Sequence, residues 1–303
     1  MKILRFNEDR IGVIKDGDKV VDVSDAISSR KPKGPQRVME EIIDGWRKYR
    51  RRFEKIMAEQ EGVPLSSVHL LCPLPRPSKC LAAFVNYVDR PDRSPDSLPN
   101  EYFYKSPDLV GPGETIELID IPAAVVFQPE AELAFIMGKT AKNVPESKAM
   151  DYVFGYVPFF DISTRGLVRR TQFIPKGQDT HAACGPWIIT KDEIPDPHNI
   201  VVKSWTNGEP RQNYNTKYMA HKIPDQIAWL TRFLRLNPAD VIATGTYHEG
   251  LRPLNCGDTI EIEFENLGRA QFFLKGNSPR KDVDWLPGRD QPKPPEGGGM
   301  HRV

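Results

Sequence analysis

The stretch "QPEAELAFIMG", residues 128–138, sets two carboxylates, Glu130 and Glu132, two residues apart and runs straight into the apolar segment Leu133 to Met137. In a β-strand, residues i and i+2 point to the same face. A strand here therefore aims two negative charges at one spot. Like charges side by side repel, and burying even one is costly. Two readings follow: a wet edge strand with both glutamates in solvent, or a cation between them. A third acid, Asp161, stands in "FGYVPFFDISTR", residues 154–165, at the end of an aromatic-rich, strand-like run. An acid beside buried aromatics again needs a partner. Three carboxylates and water suit a hard divalent cation such as Mg²⁺, Mn²⁺ or Ca²⁺.

The rest of the chain narrows the class. Its 303 residues are enough for one large domain or a core domain with a small appendage. Charged residues make up 27% and the net charge is +1, without the basic excess of a nucleic-acid binder. No run approaches the ~20 apolar residues of a membrane span. "MKILRFNEDRIG" carries charge early and has no apolar core, so no secretory signal is expected. Cys72, Cys80, Cys184 and Cys256 are scattered, with no CxxC pair. That argues against a zinc site or a disulfide framework and fits a reduced, cytoplasmic setting.

Patterning predicts an α+β chain, mainly β. "KILRF", "RIGVI" and "VVDVSD", with an Asp-Gly turn in "KDGDK", read as a hairpin over residues 1–28. Apolar residues at Val38, Ile42, Ile43, Trp46, Tyr49, Phe53 and Ile56 predict one helix over residues 36–61. Short strands follow, among them "TIELI", "PWIIT", "IVVKSWTNG", "DVIATG" and "TIEIEFENLG", with one further helix over residues 223–236 opened by Pro224 and Asp225. The expected division is a small N-terminal α+β domain (1–70), a catalytic domain (71–277) and a Pro/Gly-rich tail (278–303), too polar to build a core.

From Leu81 to Leu274 the chain resembles the fumarylacetoacetate hydrolase family. The blocks "FVNYVDR", "FYKSPDLVGPGETIEL", "PEAELAFIMGKTAKNV", "YVFGYVPFFDISTRG", "KGQDTHAACGPWIIT", "TNGEPRQNYNT", "DVIATGTYHEG" and "LNCGDTIEIEFENLG" occur in family order. The resemblance implies a mixed, twisted β-roll, a homodimer, and a Mg²⁺ or Mn²⁺ ion held by Glu130, Glu132 and Asp161. It implies a small oxo-acid substrate, a 2-oxo or 1,3-dicarbonyl acid, chelated by the metal so that enolate charge is stabilised. Lys176 matches a family lysine near the metal; on its own it reads as a surface lysine. Gly245 and Thr246 match a Gly-Thr-Pro loop that binds the substrate carboxylate, with Tyr247 in place of the proline; the plain alternative is a turn. Arg165 matches an arginine that supports the site.

One departure matters most. The family's Asn-Tyr-x-x-His-x-x-Glu pattern carries a His/Glu dyad on a mobile lid, and in "NYVDRPDRSPD" its places hold Arg90 and Arg93. A protonated guanidinium is a poor general base. Three readings stay open: chemistry with little need of a base, a base from His248, His181 or Lys176, or arginines that grip a substrate carboxylate. Ion pairs with Asp89 and Asp92 are the plain alternative. The expectation is a cytoplasmic, metal-dependent C–C hydrolase of a small oxo acid. Lys176, Thr246 and Arg90 act in catalysis, and Arg93, Tyr247, His248, Gly245 and Arg165 bind substrate. Decarboxylase, hydratase or enol–keto isomerase activity, or a non-catalytic ligand-binding role, is the alternative. No nucleic-acid or membrane partner is expected.

Overall fold

The strands Val126–Met137 and Val153–Arg165 pair antiparallel along their whole length, registered so that Asp161 faces Glu130 and Phe159 faces Glu132. The structure, a computed structural model, describes residues 1–27, 34–167, 171–265 and 267–283. Every residue of both strands is buried, and Val126–Met137 has Val241–Ala243 on its other side. The reading of a wet edge strand is thereby excluded.

Period-two alternation divides this strand pair into two faces. Ala131, Leu133, Phe135, Phe160 and Ile162 point into one apolar core. That core is shared with a 5-stranded sheet of Glu209–Asn215, Val201–Thr206, Thr259–Phe264, Gly268–Gly276 and Thr115–Leu118. Phe160 meets Phe272 there, edge to face, with centroids 5.9 Å apart. The opposite face carries Ala134, Ile136, Val157 and Phe159 into a second core beneath the N-terminal helices. Farther along this second face stand Glu130, Glu132 and Asp161, so the apolar surface ends where the carboxylates begin.

The strand pair belongs to a 12-stranded mixed sheet, in which Val241–Ala243 and Cys80–Phe84 run parallel. Lys2–Phe6, Arg10–Lys15 and Lys19–Asp22 form an antiparallel meander, turned at Asp16 (φ 54°) and Gly17 (φ 89°). Lys2–Phe6 also pairs with Ile188–Thr190, so the N-terminal strands extend the larger sheet.

The single helix expected over 36–61 is two, Pro35–Asp44 and Trp46–Glu59. Gly45 separates them. A glycine interrupts a helix cheaply, and a Cβ at this residue would lie 3.0 Å from the Tyr49 ring. Met39, Ile42, Ile43, Tyr49 and Phe53 still face the sheet together. The later helix spans Ile223–Phe233, shorter than expected because Leu236 leaves it to exchange backbone hydrogen bonds with Ala141. The tail expected from 278 is described only to residue 283.

Candidate metal centre

Because i and i+2 share a face and Asp161 stands opposite Glu130, the sheet register alone brings three carboxylates together. Their ligand oxygens all lie within 4.8 Å of one another. Glu132 and Asp161 are fully buried and Glu130 is 5% exposed. Such a cluster needs positive charge.

Three cations from the chain answer it, unevenly. Lys176, on the short helix Phe173–Lys176, places Nζ 2.6 Å from Glu130 Oε2 and 2.6 Å from Asp161 Oδ2, and also donates to Ser163 Oγ. Arg165 donates to Glu130 Oε1 and, from Nε, to Gln128 Oε1 at 2.9 Å. Lys105 lies 2.7 Å from Asp161 Oδ1, although its well-angled hydrogen bond goes to Ile162 O at 3.1 Å. Burial pushes the Glu130 carboxyl up, but Lys176 and Arg165 outweigh it and hold the group well below the usual range. Burial lowers the Lys105 pKa, with Asp161 opposing.

Glu132 forms no ion pair with these cations among the described residues. Its Oε2 accepts the Gly245 amide at 2.7 Å, while Oε1 is buried without a hydrogen-bond partner among the described residues. Burial first, then Asp161 and Glu130, push its pKa well above the usual carboxylate range. A carboxylate with one orphaned oxygen, clustered with two other carboxylates, fits a hard divalent cation. By donor type and geometry, Glu130, Glu132 and Asp161 are the residues suited to hold it.

The Gly245 loop orients this set. Gly245 has φ +89°, a conformation costly to any other residue, and a Cβ there would press on Asn86 Cβ at 3.1 Å. Asn86 in turn accepts the His221 amide and donates to Thr244 O and His221 O. Thr246 donates its hydroxyl to Ala131 O at 2.8 Å and accepts from Gln212 Nε2 at 2.8 Å. That hydroxyl thus pins the backbone between the two glutamates. Tyr247 stacks on Tyr214, with centroids 5.9 Å apart and planes at 18°.

The arginines of the lid segment differ from each other. Arg93 donates to Asp89 Oδ1, whereas Arg90 is exposed, its Nε 4.0 Å from both Asp89 and Asp92. His248 contacts Asp89 Oδ2 through Nδ1 and through its amide, the latter at 3.2 Å. His181 is fully buried, with Nε2 3.0 Å from Glu117 O; burial, then Lys105, push its pKa down to about 3.

Sequence reasoning did not single out Gln128, Ser163, Lys105 or Gln212. The first two had a signal. Gln128 lies two residues before Glu130, and Ser163 two after Asp161, so alternation puts them on the carboxylate face. Lys105, just past the strand Glu101–Tyr104, and Gln212, on Glu209–Asn215, reach the site through long-range packing that no local pattern displays.

Residues 79–273 match the family described as "Fumarylacetoacetate (FAA) hydrolase C-terminal". The chain belongs to the fumarylacetoacetate hydrolase family. It is 34% identical over 291 residues to a maleylpyruvate hydrolase of Aquipseudomonas alcaligenes, covering 91% of this chain and 99% of the relative. It is 32% identical over 287 residues to a mitochondrial oxaloacetate tautomerase of Xenopus laevis, covering 88% of each. A crystal structure of maleylpyruvate hydrolase from Sphingobium sp. SYK-6, in complex with manganese(II) ion and pyruvate, superposes with a TM-score of 0.80 at 32% identity. The superposition covers 92% of this chain and 100% of that one. No helix among the described residues is long and apolar enough to cross a membrane.

Proposed function

We propose that this chain is a divalent-metal-dependent hydrolase that cleaves the C–C bond of a small acylpyruvate, releasing pyruvate and a carboxylic acid. The observation that carries the reading is the convergence of Glu130, Glu132 and Asp161, with Glu132 Oε1 buried and without a hydrogen-bond partner among the described residues. The family membership, and the relatives named for maleylpyruvate hydrolysis, support it. Mg²⁺ or Mn²⁺, held by Glu130, Glu132 and Asp161, would supply Lewis-acid polarisation of a chelating 2-oxo acid.

The charge balance favours an anionic substrate. At the cluster, three acids, Glu130, Glu132 and Asp161, face three bases, Lys105, Lys176 and Arg165. A divalent ion adds two positive charges, which an acylpyruvate with two anionic oxygen groups would neutralise. Lys176, which bridges Glu130 and Asp161, is suited to stabilise oxyanion charge beside such an ion. It is confined by three acceptors, which suits it to hold that charge and not to accept a proton. Arg90, the less engaged of the two lid arginines, is suited to a distal carboxylate. The loop from Gly245 to Tyr247 forms the wall that orients the substrate. We further propose a homodimer acting in the cytoplasm.

The test is turnover. The protein, with Mg²⁺ or Mn²⁺, is incubated with a panel of acylpyruvates and with oxaloacetate, following enol absorbance and pyruvate release. Pyruvate formation that disappears in Asp161→Ala is expected. Loss of oxaloacetate enol absorbance without cleavage of any acylpyruvate would instead make the chain a tautomerase, the reading favoured by the Xenopus laevis relative. Tight metal binding without change in any compound would make it a binding protein. Light scattering after size exclusion tests the dimer.

A further inference from the structure

The family's lid dyad is replaced by Arg90 and Arg93, yet the fold builds another imidazole–carboxylate pair in the same region. The acid, Asp89, stands on the lid segment. The imidazole, His248, stands on the loop after Val241–Ala243, two residues beyond Thr246. We infer that His248, held by Asp89, is the group that transfers protons to and from the substrate at this site, a role that rests on the function proposed above.

Four observations carry this. Asp89 Oδ2 meets His248 Nδ1 and the His248 amide, so one carboxylate fixes both the ring and its backbone. The Asp89 side chain is 2% exposed and its second oxygen takes the Arg93 guanidinium, which keeps the buried acid ionised. An ionised partner at Nδ1 requires Nδ1–H and leaves the lone pair on Nε2. Nε2 takes no hydrogen bond among the described residues, and the ring keeps 16% of its surface open. Third, His248 stands two residues past Thr246, whose hydroxyl binds Ala131 O between the two glutamates. Fourth, the other candidates are committed elsewhere: His181 to the core, Lys176 to Glu130, Asp161 and Ser163.

The step balances as follows. His248 Nε2 takes a proton from water while the water oxygen bonds to the acyl carbonyl carbon. The resulting alkoxide collapses, the C–C bond breaks, and its electron pair passes to the pyruvate unit as an enolate. The imidazolium then returns its proton to the enolate carbon, giving the pyruvate methyl group. The acid product ionises in solvent. Asp89 is a positioning residue, acting through the imidazole.

The experiment uses the full chain with Mg²⁺ and compares wild type, His248→Ala and Asp89→Asn, each verified as folded by thermal melting. Three readouts are taken: acylpyruvate hydrolysis, exchange of pyruvate methyl protons for solvent deuterium by ¹H NMR, and the His248 tautomer by ¹⁵N NMR. The expectation is a loss of about 10²–10⁴-fold in hydrolysis and exchange for His248→Ala, partial recovery with added imidazole, an Nδ1–H tautomer in wild type, and loss of that tautomer in Asp89→Asn. Wild-type hydrolysis with His248→Ala within about threefold overturns the inference and leaves the hydrolase reading intact. Wild type inert on acylpyruvates, yet exchanging pyruvate protons in a His248-dependent way, overturns the hydrolase reading and upholds the proton-transfer role. Neither activity in wild type overturns both. If His248→Ala does not fold, an Nε2–H tautomer in wild type, or full activity in Asp89→Asn, overturns the inference.

Discussion

Replacing Glu132 by Gln should change stability in opposite directions with and without metal. In the metal-free protein Glu132 has no cation of its own, and burial with Asp161 and Glu130 pushes its pKa well above the usual range. A carboxyl whose folded pKa is raised binds its proton more tightly in the native state. Its contribution to stability is therefore fully present below the unfolded value and is lost as pH rises through the folded one. At neutral pH, above the unfolded value, the fold must either hold that proton or bury an uncompensated charge, and both cost stability. Glutamine keeps an oxygen for the Gly245 amide, cannot ionise, and offers an amide hydrogen towards the neighbouring carboxylates. Relief on the order of 1–3 kcal/mol is expected, the cost of an unsatisfied buried polar group, or a rise in Tm of about 2–4 °C per kcal/mol. With metal the sign reverses. A ligand at 100 times its Kd stabilises by about 2.7 kcal/mol, and a variant lacking one of three carboxylates forfeits most of that. Thermal melts at pH 7.5 in EDTA and in excess Mn²⁺ read both. Glu132→Gln should melt above wild type in EDTA and below it in Mn²⁺. A variant less stable than wild type in both conditions would refute the reasoning.

Further outcomes follow from the same geometry. Gly245→Ala should lower Mn²⁺ affinity about 10–100-fold by titration calorimetry, because the amide that orients Glu132 is displaced. Lys176→Met should destabilise the metal-free protein by about 3–5 kcal/mol in urea unfolding, since it leaves buried carboxylates short of a cation. Burial pushes the Asp89 pKa up, but the His248 and Arg93 contacts outweigh it and hold the carboxyl below its ordinary 3.8. Its contribution is complete above that value and is lost as pH falls through the lower folded one. Amide hydrogen exchange over residues 88–97, corrected for its intrinsic pH dependence, should therefore speed up as pH drops below 3.8, and Asp89→Asn should abolish that dependence. Phe160→Ala should cost about 3–5 kcal/mol in the same unfolding assay, through loss of its contact with Phe272 between the sheets.

The carboxylate cluster was legible because strand periodicity is a local property. Glu130 and Glu132 share a face in any strand, and Asp161 stands out at the end of its aromatic-rich run. The depth of that face was not legible. Val241–Ala243 pairs beside Ala134–Ile136 and makes Val126–Met137 an interior strand, while Arg165, Lys176 and the Gly245 amide close over its acids. The turn at Asp16 and Gly17 was readable, as a short-range preference should be. The break at Gly45 was passed over because the apolar stripe continues on both sides, and the stripe records which face is buried, not whether the backbone is continuous. The Asp89–His248 pair was least legible, since 159 residues separate its members. The sequence showed an acid beside two arginines and an isolated loop histidine, and only the packing of one loop on the other joins them.

Diffraction from crystals grown with Mn²⁺ and pyruvate, collected at an energy where manganese scatters anomalously, tests the central claim most directly. One anomalous peak should lie within bonding distance of an oxygen from each of Glu130, Glu132 and Asp161, with Lys176 drawn back towards pyruvate. A map with no peak among these oxygens, and Lys176 still bridging Glu130 and Asp161, would contradict it.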